Sequence, residues 1–450
     1  MIRSITWNNH DVLGDLELNF AKQDGSIYNT IILAGENGAG KTTIMDTLSE
    51  FLNLGSIEVF SNIRYDIAGT TYRIIPDSLA NLGYHKRINE VTNVQKNVHT
   101  SKSAHRDQLD NDTFDIRFYG CAYSKARSGF NTEVVKSTST TQLDDSKYES
   151  DDSEDFTAIK QMLVDIKSQD NSTWARLSKN GDTRTYQEFL STGKMHRFES
   201  AFNHFFDDLQ FEDVNEESSA EKKILFTKHG KTISIDQMST GEKQIVFRGS
   251  HLLKNSQSIA GGVILIDEPE LSMHPKWQGK ILTYYRDLFT NNGIQTSQMI
   301  FSTHSEYVIR AALQDSENVL VIILEDNNGT IVPSRTNDRV LPTLTASEIN
   351  YLAFGIASVD YHIALYGRLQ LMTQKHRIAE CDAYIAGHAD YDPAIHAKFD
   401  NSPYGNYSTL PTYIRNAIDH PDSGRQCTPE DLHKSIELLR KLCYPYKNAP

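Results

Sequence analysis

Cysteine is scarce and unpatterned. The 450-residue chain holds four, Cys121, Cys381, Cys427 and Cys443, and no two form a Cys-x-x-Cys pair. Neither a zinc site nor a disulfide framework is signalled, and a reducing compartment is expected. Long apolar runs are missing too, so no membrane span is expected. The opening MIRSITWNNHDV has no apolar signal-peptide core, which makes the cytoplasm the default location. Net positive charge is absent. The formal charge of −14 argues against a surface coated in nucleic acid but leaves room for a local basic groove. No internal repeat is visible. What remains is an ordinary globular composition, 38% hydrophobic and 23% charged, at a length that predicts two or three domains.

The first part of the chain reads as strand, glycine loop and helix. SITW and DLELNF alternate as β-strands do. In YNTIILAGENGAGKTTIMDTLSEFL an apolar strand precedes a glycine loop, and Ile44, Leu48, Phe51 and Leu52 then recur at helical spacing. Residues 132–155, rich in Ser, Thr and Asp, read as a mobile loop or linker. Helical patterns follow in DFTAIKQMLVDIKSQ and TYQEFLSTGKMHRFESAFNHFFDDL, and the acidic DDLQFEDVNEESSAE reads as a solvated loop. Apolar strands then alternate with helices up to NVLVIILEDNNGTIV, the pattern of a parallel α/β sheet. From about Thr345 the strand signals stop and the rest reads as helical.

Four motifs carry chemistry. GENGAGKT, Gly35 to Thr42, matches G-x-x-x-x-G-K-[ST]. Gly35, Asn37, Gly38 and Gly40 let backbone N–H groups curl round phosphates. Lys41 reaches the β- and γ-phosphates of ATP, and Thr42, with Thr43 beside it, offers a hydroxyl to Mg²⁺. VILIDEPE is a buried strand that ends in carboxylates, which calls for a cation there. Asp267 is the expected Mg²⁺ ligand and Glu268 the expected general base. MSTGEKQ places Ser239, Gly241 and Glu242 at a helix start, a second phosphate-binding surface. STHS puts His304 after an apolar strand, in reach of a γ-phosphate.

In this order the motifs resemble the ABC-type ATPase heads of the RecF, structural-maintenance-of-chromosomes and OLD group, over roughly residues 1–335. The resemblance implies a homodimer, or a higher even oligomer, in which Ser239 and Gly241 of one subunit complete the ATP site of another. There are two departures. No long heptad coiled coil is present. The usual Q-loop glutamine is missing from YSKARSGF, where Lys125 and Arg127 are either phosphate contacts or a simple basic loop. EPELSMHP and a helical C-terminal part fit the RecF/OLD group better than a transporter head.

Near the end, TLPTYIRNAIDHP predicts a short helix stopped by Pro421, with Arg415, Asn416 and His420 on it, Asn416 and His420 sharing a face. Arg and His can supply the acid, the base and the phosphate contact of a metal-independent ribonuclease. The spacing resembles the motif of HEPN-domain ribonucleases. A structural or dimerising helix reads equally well.

The expected fold is α/β: an ABC-type P-loop ATPase head with an inserted helical lobe, followed by an all-α C-terminal domain. The expected boundaries are 1–131 and 223–340 for the two lobes of the head, 132–222 for linker and insertion, and 345–450 for the C-terminal domain. The design is similar to Septu-type and retron-associated ATPases that pair with a nuclease. It implies a bacterial antiphage-defence ATPase that binds ATP and Mg²⁺ and controls a partner nuclease or regulatory protein. The alternatives are an ATPase with its own ribonuclease, acting on RNA or tRNA, and a RecF-like DNA repair factor.

Overall fold

Three strands buried on both faces set the architecture: β3 (Thr30–Gly35), β13 (Val263–Asp267) and β16 (Gln298–Thr303). Near-continuous apolar runs of this kind belong in a parallel sheet covered on both sides. In the computed structural model they form the centre of a seven-stranded sheet. Its other members are β8 (Cys121–Ser124), β9 (Tyr148–Ser150), β17 (Val319–Asn327) and β18 (Thr330–Arg335), in the order β18-β17-β3-β16-β13-β8-β9. The pairings from β17 through β9 are parallel. The register aligns Asp267 with Ser302 and Thr303 with Ala34, so the carboxyl ends of the three central strands lie side by side. Ligands of open parallel sheets bind at such an edge.

The structure describes all residues except 78–82, 102–105, 151–155, 216–220, 336–338, 344, 403–404 and 447–450. The chain divides into two compact units, Met1–Pro333 and Ser334–Pro450.

In the first unit a six-stranded antiparallel sheet runs β2-β1-β4-β5-β6-β7. Its strands are β1 (Ile2–Trp7), β2 (Glu17–Asn19), β4 (Phe60–Ile67), β5 (Thr70–Pro76), β6 (Tyr84–Asn89) and β7 (Gln95–His99). Helix α1 (Lys41–Leu52) buries Ile44, Met45, Leu48, Phe51 and Leu52 in one cluster with Ile31 and Leu33 of β3 and with Trp7 and Phe60. The helix is thereby clamped between two sheets, which fixes the glycine loop at its head. A short helix α2 (Arg106–Asp110) precedes β8.

The inserted lobe holds α3 (Thr157–Lys179), α4 (Tyr186–Leu190) and α5 (His196–Phe205). Two expectations are corrected here. The acidic stretch is not a loop: Leu209–Asn215 is strand β10, paired antiparallel with β11 (Lys223–Lys228), which pairs with β12 (Lys231–Ser234). Leu209, Phe211 and Val214 alternate inward, so acids interleaved with apolar residues form one wet face. The rest of that stretch, 216–220, lies outside the described residues. The Ser/Thr-rich segment is a loop over most of its described part, but an anchored one rather than a mobile one. Ser139 and Thr141 donate to the Asp165 carboxylate of α3 (Thr141 at 2.6 Å), and Asp144 pairs with Arg197 at 2.8 Å. Residues 151–155 lie outside the description.

The helix opening at Ser239 comprises α6 (Thr240–Lys243), a π-helical turn Gln244–Arg248 and α7 (Gly249–Lys254). Helix α8 (Pro275–Leu288), the small hairpin β14 (Thr290–Asn291) and β15 (Ile294–Gln295), and α9 (Glu306–Gln314) complete the unit.

The second unit is mostly helical, with α10 (Ala346–Phe354), α11 (Val359–Thr373), α12 (Ile378–Ala386), α13 (Pro393–His396), α14 (Leu410–Asp419) and α15 (Pro429–Cys443). Tyr361, Leu365, Cys381, Ile414, Ile436 and Leu439 share its core. Two details depart from expectation. Strands do not stop after Thr345: β19 (Ala397–Ser402) and β20 (Gly405–Thr409) form an antiparallel hairpin. The buried Asp382 carboxylate anchors it, accepting from Thr409 Oγ1 at 2.6 Å and Ser408 N at 2.9 Å. The unit also begins earlier than expected. Val340 and Leu341 belong to its core, and their N–H groups donate to the buried Glu348 carboxylate.

Candidate active site

Helix α1 has an open head. Its N-cap is Gly40 in a left-handed conformation (φ 77°), and no side chain caps it. The first N–H groups are left for an anion, and the macrodipole favours negative charge there. Glycine is favoured at Gly40 by the left-handed φ of 77°, and a Cβ there would also press on the tip of the Leu13 side chain. At Gly35 (φ 150°) a Cβ would lie 2.3 Å from the Leu324 carbonyl oxygen. Asn37 and Gly38 are exposed at the loop tip. Lys41 Nζ turns across the loop to the carbonyl oxygens of Gly35 (2.9 Å) and Glu36 (2.8 Å). Burial pulls its ammonium down to about 8, against the pull of Glu268 and Asp267. Thr43 is half-buried on the next position, where its carbonyl accepts from Thr47.

At the end of β13 the Asp267 carboxylate accepts from Thr42 Oγ1 at 3.2 Å and from Ser302 Oγ of β16. Burial pushes this carboxyl above its usual range. A cation beside it would reverse that shift. The donor set of one hydroxyl and one carboxylate suits Mg²⁺, which takes few protein oxygens and completes its octahedron with phosphate and water.

Glu268 has a left-handed backbone (φ 43°), a strained conformation for a residue with a side chain. Ser302 Oγ accepts from its N–H at 3.1 Å, and Arg248 donates to its carbonyl at 3.1 Å. The turn aims the carboxylate at His304 Nε2, 3.0 Å away. That hydrogen bond, above all, holds the Glu268 carboxyl below its usual range. Glu270 is buried and supports the next loop: its Oε1 accepts from Thr303 Oγ1 (2.6 Å) and His304 N (2.8 Å). Lys41 and Thr42 at the head of α1, Asp267 and Glu268 at the end of β13, and His304 just after β16 thus meet at the carboxyl end of one sheet.

Ser239 caps α6 in a reciprocal box with Glu242: its N–H and its hydroxyl both donate to Glu242 Oε2 at 2.8 Å. Glu242 has a structural task within this chain. It is 2% exposed and paired with Lys228, so it serves the cap. Gly241 is buried against the Ser272 carbonyl, 2.9 Å from where a Cβ would lie. Lys125 lies 3.7 Å from Asp46 of α1, and the Arg127 carbonyl accepts from Gln244.

Arg415, Asn416 and His420 do not form a common face. Helix α14 ends at Asp419, and His420 is its non-helical C-cap (φ −130°, ψ 70°). Proline at 421 disfavours the helical conformation of the residue before it. Arg415 is held by Asp419 and by Asn416 Oδ1 (3.0 Å), and Asn416 is 4% exposed. We expect Arg415→Ala to cost about 0.5–1 kcal/mol, the upper part of the range for i,i+4 pairs because this one is half-buried. Thermal unfolding checks this. A loss of several degrees would show a larger structural role.

Sequence reasoning missed Arg248, Ser302, Gln244 and the part played by Glu270. Ser302, Gln244 and Glu270 stand inside the motifs STHS, MSTGEKQ and VILIDEPE but carried no assigned role, and Arg248 was marked only as a cation in QIVFRGSHLL.

A glycine loop heading a helix after β3, and carboxylates closing β13 one strand beyond its neighbour β16, define a P-loop ATPase head. Residues 31–310 match the family described as "AAA domain, putative AbiEii toxin, Type IV TA system", and the chain belongs to this family. It is similar to the Septu protein PtuA of Bacillus thuringiensis, with 24% identity over 67% of this chain and 70% of that one. It is similar to the retron Vc95 probable ATPase of Vibrio cholerae serotype O1 biovar El Tor, with 25% identity over the same shares. The retron Ec83 probable ATPase of Escherichia coli is 31% identical over 22% of this chain and 19% of that one. Among solved structures, the SMC head domain from Thermotoga maritima has a TM-score of 0.37 at 14% identity, covering 75% of this chain and 99% of that one. Among the described residues no helix is long and apolar enough to cross a membrane.

Proposed function

We propose that this chain is the ATP-hydrolysing subunit of a bacterial antiphage defence system and controls a partner nuclease. The observation that carries the enzymatic part is the meeting of Lys41, Thr42, Asp267, Glu268 and His304 at one sheet edge. Lys41 and the N–H groups of Gly38 to Thr42 hold the triphosphate of ATP. Thr42 and Asp267 hold Mg²⁺, which supplies charge neutralisation on the β- and γ-phosphates. Glu268 accepts the proton of the attacking water as the bond from the γ-phosphorus to the ADP oxygen breaks. His304 orients that carboxylate and lies beside the departing phosphate.

The capped Ser239 presents its helix start outward, toward a second copy. On this reading Ser239→Ala removes a cap, costing about 1 kcal/mol locally, and removes the contact to the other subunit's γ-phosphate. Mixing Lys41→Ala with Ser239→Ala chains is expected to leave at most one working site per heterodimer. Full turnover by a strictly monomeric chain would overturn the composite site.

The relatedness to a Septu protein and to two retron ATPases supports the defence role. Expression of the system in a phage-sensitive host is expected to lower plating efficiency, and Lys41→Ala to restore it. Protection that persists in Lys41→Ala would overturn the role of ATP. For the ribonuclease alternative, the purified chain in EDTA is expected to leave RNA intact, with or without His420→Ala. Cleavage lost only in His420→Ala would reinstate that alternative.

A further inference from the structure

The helix headed by Ser239 is irregular. Between its α-helical ends, Gln244–Arg248 form a π turn. Such turns widen the backbone, are rare, and recur at functional sites. Both ends of this one carry fully buried polar side chains. Gln244 donates to the Arg127 carbonyl, in the loop after β8. Arg248 reaches further. It donates to Ser124 Oγ (2.8 Å), the Ser124 carbonyl (3.0 Å), the Asp267 carbonyl (2.7 Å), the Glu268 carbonyl (3.1 Å) and Gln244 Oε1 (3.4 Å).

These five acceptors are uncharged. Burying a guanidinium with neutral partners costs more than packing an apolar side chain of the same volume. The Asp267 and Glu268 carboxylates attract it through space as well, and hydrogen bonds to neutral groups alone do not explain this residue. Its targets do: the carbonyls of Asp267 and Glu268 belong to the peptides that aim the expected cation ligand and the expected base. The second of these residues has the strained φ of 43°. A planar fork that grips adjacent carbonyls restrains both peptides, which a point charge on a flexible stem does less well.

We propose that Arg248 is a positioning residue for hydrolysis, which grips the Asp267 and Glu268 carbonyls from the π turn and so links the helix start at Ser239 to the base of the same chain. The proposal rests on the reading of Glu268 as that base. Ser239, Arg248 and Glu268 then form one line within a single subunit. A contact made at Ser239 by nucleotide on a second copy reaches the Glu268 peptide through a continuous helix.

The test compares steady-state kinetics of Arg248→Met, Arg248→Lys and Glu268→Gln. Arg248→Met is expected to keep KM for ATP within about threefold and to lower kcat by roughly 30-fold or more, since small misplacement of a reacting group is costly. Arg248→Lys is expected to regain part of kcat, because an ammonium still donates to the carbonyls. If Glu268→Gln turns over ATP like wild type, the base assignment fails whatever Arg248 does. If Glu268→Gln is inactive while Arg248→Met stays within about twofold of wild type, the positioning role alone is overturned. If Arg248→Met does not fold, Ser124→Ala decides. It removes one anchor of the guanidinium, and lowered kcat at unchanged KM supports the proposal, whereas unchanged kcat overturns it.

Discussion

Glu268→Gln is expected to bind ATP as tightly as wild type and to release phosphate at least ~100-fold more slowly, the scale of a lost general base. The argument is one of separation. Lys41 and Thr42 stand on α1, and Asp267 is held by Thr42 and Ser302, so none of the binding groups depends on the Glu268 carboxylate. Glutamine keeps the size of the side chain and can still meet His304, so the strained turn at φ 43° is expected to survive. Nucleotide should remain on the protein after gel filtration in Mg²⁺, as intact ATP. ADP recovered at the wild-type rate would remove Glu268 from the mechanism.

Lys41→Ala is the complementary loss. Here ATP affinity is expected to fall by ~10- to 100-fold, since a charge-assisted hydrogen bond contributes about 1.5–3 kcal/mol. Lys41 is a buried cation whose partners are the loop's own carbonyls at 2.8–2.9 Å. Phosphate offers that ammonium the negative charge those carbonyls lack. The fold should tolerate the change, because the apolar face of α1, from Ile44 to Leu52, is untouched. Titration calorimetry with ATP reads the affinity directly. Binding at wild-type strength would mean that the triphosphate lies elsewhere.

The contrast between these two residues and Arg248 shows what a linear sequence conveys. Lys41, Thr42, Asp267, Glu268, Ser239 and His304 were legible because each sits in a short motif whose chemistry is local: a glycine loop, a strand end, a helix start. The parallel sheet was legible because its central strands are apolar throughout. Arg248 was not, since its five acceptors come from Ser124, Gln244, Asp267 and Glu268, and only the packed sheet brings these together. The capping task of Glu242 was hidden for the same reason. Its spacing from Ser239 suits either a phosphate or a capping box, and in this chain the box is formed, with Lys228 at the end of β11 paired to the same carboxylate.

Polar segments misled in a second way. Composition makes residues 132–150 look unattached, yet Asp165 and Arg197 hold the segment through Ser139, Thr141 and Asp144. The hairpin of β19 and β20 depends likewise on one buried carboxylate, Asp382, on a helix far upstream. In the tail, the helical wheel that aligned Asn416 with His420 assumed one more helical residue than Pro421 permits.

The most direct test is a structure of Glu268→Gln with Mg²⁺ and ATP. The expected result is a triphosphate wrapped by residues 35–42, with the cation between Thr42 and Asp267, and Ser239 of a second copy facing the γ-phosphate. Nucleotide bound away from the Lys41 loop, or bound there with Asp267 turned from the cation, would contradict the account.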